Sequence, residues 1–167
     1  MRMPSIGAHW GATTCGHRLA TAGIDGAVIV WNTETGRAEH LMQGRTAAVI
    51  LISYSMDGAR LAGGYFDLIR VWDSTTGALL RRMPRSPAGS TYFHVQFSPS
   101  NNRLLATSGH GGLLLWNVES GERMQISFDG QRENSGAVFS PDGRSIATYN
   151  RGELRVVSSN REHCGRG

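Results

Sequence analysis

The chain has 167 residues, 40% of them hydrophobic and 18% charged, with a formal net charge of +4. This composition suits one folded domain with a real core and excludes a disordered chain. All 17 basic residues are Arg, so P-loop lysine, Schiff-base lysine and Ser-x-x-Lys chemistry are excluded as well.

In chain order, the first expected strands are Arg18-Leu19-Ala20-Thr21 and Val28-Ile29-Val30-Trp31-Asn32. The hairpin signal Asn32-Thr33-Glu34-Thr35-Gly36 follows, then a polar strand from Ala38 to Met42. The second copy opens on Ile50-Leu51-Ile52-Ser53, turns at Asp57-Gly58, and continues through Arg60-Leu61-Ala62 and Ile69-Arg70-Val71-Trp72-Asp73. Its hairpin signal closes on Gly77, before a strand from Ala78 to Met83. The third copy has Val95-Gln96-Phe97-Ser98-Pro99, Leu104-Leu105-Ala106-Thr107 and Leu113-Leu114-Leu115-Trp116-Asn117. It then has Gly121 and a strand from Glu122 to Phe128. The fourth has Ala137-Val138-Phe139-Ser140-Pro141-Asp142-Gly143, Ser145-Ile146-Ala147-Thr148 and Leu154-Arg155-Val156-Val157-Ser158, without a Trp. Steps of 41, 44 and 41 residues separate positions 31, 72, 116 and 157. Such a period marks a propeller or solenoid. Pro-Asp-Gly and Asx…Gly segments close tight turns because Pro presets one dihedral and Gly accepts positive φ. Residues one and three before each Trp share one face of the pleat. Nothing reads as a long amphipathic helix.

The repeat resembles the WD-repeat (WD40) family of β-propellers over about residues 8 to 158. The residues that carry the resemblance are Asp25, Trp31 and Gly36; Trp72, Asp73 and Gly77; Trp116 and Gly121; and Asp142 and Gly143. It implies an all-β chain of four four-stranded antiparallel blades, the turn-terminated strand innermost and the Trp strand third. The expected repeats are approximately 6–43, 44–84, 90–128 and 134–158 within a single region 1–167, followed by a polar tail 159–167. The family's Gly-His dipeptide is missing, and its Asp six before the Trp survives only as Asp25, with Phe66, His110 and Arg151 at the matching positions. The family's buried His–Ser/Thr–Asp–Trp network is therefore expected to be incomplete. Since related rings close with about seven blades, an open arc is expected rather than a closed ring.

Catalytic and metal constellations are sparse. His110 between glycines lacks the basic residue and helix start of a phosphate loop and reads as a turn. Cys15, His17, His163 and Cys164 are the one metal-like set, without zinc-ligand spacing, and the two cysteines make no disulfide framework. No metal, no cofactor and no catalytic residue are expected. His94 and Tyr92 read as hydrogen-bonded core groups near an inner strand, and the tryptophans as core between sheets. The longest apolar run, Ala47 to Ile52, is far short of the roughly 20 residues of a membrane helix. No signal peptide precedes the first strand, so an intracellular protein, cytoplasmic or nuclear, is expected.

The remaining candidates lie in loops. Connections between second and third strands carry Tyr65, Phe66, His110, Tyr149, Asn150 and Arg151, and connections between blades carry Arg45, Arg85 and Arg132. Aromatic and Arg side chains are frequent interface anchors. The resemblance implies a non-enzymatic scaffold that binds a protein or peptide there. It could be a fragment, or the sensing tail of a larger signalling protein, with self-association completing the propeller. The alternatives are RNA or DNA contact through the Arg-rich loops, disfavoured because the Arg residues are scattered, and a partial gene product with no function of its own.

Overall fold

Turn chemistry cuts the chain into strands of four to six residues. The computed structural model describes residues 9–12, 16–43, 48–65, 68–84, 92–109, 112–126, 136–150 and 153–159. Blade 1 holds β1 (His9–Ala12), β2 (Arg18–Ala22), β3 (Ala27–Asn32) and β4 (Ala38–Gln43). Blade 2 holds β5 (Val49–Tyr54), β6 (Arg60–Tyr65), β7 (Leu68–Asp73) and β8 (Leu79–Pro84). Blade 3 holds β9 (Tyr92–Phe97), β10 (Leu104–Gly109), β11 (Gly112–Asn117) and β12 (Arg123–Ile126). Blade 4 holds β13 (Gly136–Phe139), β14 (Ser145–Asn150) and β15 (Glu153–Ser158). Strands pair antiparallel in sequence order within each sheet. Blades 1 to 3 have the four strands expected, and among the described residues blade 4 has three.

The turns work as their residues dictate. Asn32, Asp73 and Asn117 each accept backbone N–H bonds from the residues two and three ahead, at 2.8–3.2 Å. Gly36, Gly77 and Gly121 then take positive φ of 65°, 72° and 79° to close the hairpins, a conformation that costs an L side chain about 1–2 kcal/mol. At the first-to-second-strand turns, the Ser140 hydroxyl donates to Asp142 Oδ1 (2.6 Å) and accepts from Ser145 N–H (3.0 Å). Ser55 does the same with Asp57 and Arg60.

Strand alternation then sends each Trp-strand's residues to two different neighbours. Val28 and Val30 of blade 1 pack with Leu61, Tyr65 and Trp72 of blade 2. Ile69 and Val71 of blade 2 pack with Val95, Phe97, Leu105 and Trp116 of blade 3. Leu113 and Leu115 of blade 3 pack with Ala137, Phe139 and Ile146 of blade 4. Each blade thus has an upstream face, bearing its Trp, and a downstream face, bearing the residues one and three before it. The core is three slabs between four blades. Neighbouring blades approach through their first strands, β1 with β5, β5 with β9 and β9 with β13. Among the described residues the blades form an open arc and not a closed ring.

Candidate interaction surfaces

The hairpin rim joins blades together. Arg18, at the start of β2, donates to Thr75 Oγ1 of blade 2 (3.1 Å), and the His40 ring meets Thr75 O (2.7 Å). One blade further on, Arg60 reaches Glu119 (3.0 Å) and Asn102 O (3.3 Å). Arg81, which occupies the place of His40, donates to the carbonyls of Glu119 and Ser120. Glu119 also receives Arg103 at 3.0 Å. The same rim is tied within blades: Thr33 donates to Gly16 O (2.7 Å), Ser74 to Gly58 O, and Ser159 to Gly143 O (2.5 Å). These hydroxyls stand two residues after positions 31, 72 and 157, a spacing that was readable in the sequence and passed over.

The inter-blade slabs carry their own polar links. Phe97 N–H donates to Ser53 Oγ (3.0 Å), and Phe139 N–H donates to Gln96 Oε1 at the equivalent place (3.2 Å). Trp31 and Trp116 donate through Nε1 to Thr21 (2.8 Å) and Thr107 (2.9 Å). The Trp–Thr half of the expected network therefore forms in blades 1 and 3. In blade 2 the Thr position is Gly63, over which the Trp72 ring lies. Asp25 serves its own turn, accepting from Ala27 N–H at 3.1 Å.

The opposite rim carries the strand ends that flank the loop candidates. Among the described residues it is stitched by Val49 N–H to Gly23 O (3.1 Å) and by the Tyr65 hydroxyl to Gly26 O (3.3 Å). Tyr65 is the correction here: it is 1% exposed, not a free rim residue. Its ring stacks tilted on Trp72 (6.2 Å between centroids), and the Arg70 guanidinium lies 4.6 Å over it. Its position at the end of β6, facing blade 1, pulls it into the slab. Tyr149 is half-exposed at the end of β14, on the downstream face of blade 4. Asn150 closes β14. Arg45, Phe66, Arg85, His110, Arg132 and Arg151 lie outside the described residues.

Ionisable groups add little chemistry. Burial pushes the Tyr54 phenol up to about 12 and the His94 imidazole below its ordinary value. His94 Nδ1 and Ser108 Oγ, paired across β9 and β10, are both buried, with no hydrogen-bond partner among the described residues. The hydrogen bond expected of a core His94 is thus not seen there for Nδ1. Asp73 is held below the carboxylate range first by the Thr76 N–H, Asp142 first by the Ser140 hydroxyl. Among the described residues no three His, Cys, Asp or Glu side chains gather to hold a metal; Cys15, His163 and Cys164 lie outside them. No described helix is long and apolar enough to cross a membrane.

No family model matches the chain. In sequence it is similar to the periodic tryptophan protein 2 homolog of Schizosaccharomyces pombe, 27% identical over 121 residues, which cover 71% of this chain and 14% of that protein. It is similar also to the WD repeat-containing protein WDS homolog of Arabidopsis thaliana, 26% identical over 150 residues, covering 86% of this chain and 29% of the relative. In fold it is similar to the β-propeller domain of Cps50 (Swd1) from Myceliophteria thermophila, with a TM-score of 0.79 at 17% identity, over 95% of this chain and 53% of that one. The chain spans less than a third of the length of these two curated relatives and about half of the solved propeller chain. Its four repeats fold as propeller blades and are similar in sequence to those of WD-repeat proteins.

Proposed function

We propose that the chain is a non-catalytic scaffold that binds an acidic segment of a protein partner on the rim opposite the hairpins. The observation that supports this reading is that the described Arg side chains of the hairpin rim are engaged within the arc, while the sequence places further Arg residues between strand ends of the other rim. At the hairpin rim Arg18, Arg60 and Arg81 reach across to Thr75, Asn102, Glu119 and Ser120 of the next blade, and Arg103 pairs with Glu119 within its own blade. At the other rim the described strand ends flank Arg45, Arg85, Arg132 and Arg151, the aromatic Phe66, and His110. Several guanidinium groups with one aromatic side chain suit carboxylates better than an apolar helix, because charge-assisted bidentate bonds are the strong ones. The likeness to WD-type repeats supports an interaction platform in general, whereas fold alone names no partner.

A displayed peptide library selected against the chain tests this. Acidic peptides should emerge, and Arg45→Glu with Arg132→Glu should abolish their binding while Arg37→Glu, on the hairpin rim, leaves it intact. Peptides lost only on Arg37→Glu would overturn the assignment of the rim. Tight nucleic-acid binding with a steep salt slope would replace a protein partner by phosphates.

A further inference from the structure

The downstream face of blade 4 is built as an inter-blade interface, and none of the described residues covers it. In the first three blades that face carries Ala20, Val28 and Val30; then Ala62, Ile69 and Val71; then Ala106, Leu113 and Leu115. All nine are at most 1% exposed, because the next blade sits on them. The strand registers put Ala147, Leu154 and Val156 at the same three places in blade 4, with Val138 opposite Ala147 and Tyr149 opposite Leu154. Here Leu154 is 70% exposed, Val156 66%, Val138 52% and Tyr149 49%. An antiparallel sheet that faces water alternates polar residues onto that side. These five residues are all apolar or aromatic, and a contiguous patch of that kind marks an interaction site.

What fits this face can be read from the three slabs already inside the chain. Each downstream face is covered by a second-strand aliphatic residue together with the position-31-type residue beside it. In blade 2 these are Leu61 and Trp72, and in blade 3 Leu105 and Trp116. Blade 1 carries the same pair, Leu19 opposite Trp31, and beside it Ile29 opposite Leu41. Leu19, Ile29 and Trp31 are half-buried and Leu41 is 58% exposed. One chain therefore presents both halves of a fourth slab, at opposite ends of its arc.

We propose that the downstream face of blade 4 docks on the Trp31-bearing face of blade 1 in a second copy, two chains closing one eight-bladed ring about a two-fold axis. The arc covers 53% of a single propeller chain, so two arcs amount to about one ring. Two contacts of opposite ends, related by the two-fold, bury all four open faces and leave none for further growth. The inference stands apart from the rim reading, which concerns other residues.

Sedimentation of the full chain from below micromolar to tens of micromolar tests it. The wild type should convert from monomer to dimer. Leu154→Glu with Val156→Glu, and separately Leu41→Glu, should each weaken association at least about tenfold, since a carboxylate would be buried without a partner. All three sites are exposed in the monomer, so the strand signature in circular dichroism should persist, and Leu80→Glu on the outer edge of blade 2 should leave association unchanged. Mixing the two weakened variants should restore partial association, because each retains the face the other needs. A wild type that stays monomeric overturns the proposal. So does association lost on Leu154→Glu/Val156→Glu but indifferent to Leu41→Glu, which would mean that blade 4 meets something other than blade 1.

Discussion

Trp72 and Trp31 occupy the same place in successive blades, yet among the described residues only Trp72 of the two has a blade on its upstream side. Trp72→Ala should cost about 3–5 kcal/mol, the range for truncating a buried large aromatic, and Trp31→Ala clearly less, as read from urea melts. Gly63 sets a second test. A Cβ there would meet Trp72 Cζ3 at 2.8 Å, so Gly63→Ala should destabilise by about 1–3 kcal/mol through overpacking. Acid should also weaken the fold. Asp73 and Asp142 titrate below their ordinary value of 3.8, so the native chain binds fewer protons than the unfolded one. Their stabilisation is complete above that value and is lost as pH falls through the lower native one. Burial of neutral His94 below its ordinary 6.5 acts in the same direction as pH falls. Melting temperature should therefore drop on acidification, and the fall below about pH 4 should flatten in an Asp73→Asn, Asp142→Asn double variant. A profile flat in the wild type would contradict these assignments.

At the scale of the element, the strands were legible because their punctuation is chemical. Asx and Gly at the hairpins, and Ser-Pro-Asp-Gly at the first turns, each have one cheap backbone solution. Most strand ends fall within two residues of the expected ones, but β6 runs on to Tyr65, three past Ala62, and β9 begins at Tyr92, three before Val95; the end expected at Phe128 lies outside the described residues. Less legible was what joins one blade to the next. Ser53 and Gln96 have no common chemistry as letters, yet both accept the first-strand N–H of a Phe in the following blade. Tyr65 reads as a loop aromatic, and only the three-dimensional course of β6 sends it into the slab. Replacing Gln96 by Ala should leave the Phe139 N–H without that acceptor and cost about 1–3 kcal/mol. Ser53→Ala should do the same for Phe97, measured in the same melts.

For the whole molecule, stability is a sum over slabs rather than one core, as in other repeat arrays. Among the described residues, blades 2 and 3 are covered on both faces, whereas blades 1 and 4 are each covered on one. The fourfold repeat made the blades countable, but not which face of the last one is bare, because Leu154 and Val156 look the same in sequence as the fully buried Ile69 and Val71. Exposure there depends on what packs against blade 4, which these letters do not encode. Native-state hydrogen exchange on the monomeric chain, held by dilution or by Leu154→Glu/Val156→Glu, measures this directly. The open arc predicts slowest exchange in β6, β7, β10 and β11, and markedly faster exchange in β14 and β15. Equal protection across all four blades in the monomer would mean that blade 4 already has a neighbour, and would contradict the open arc.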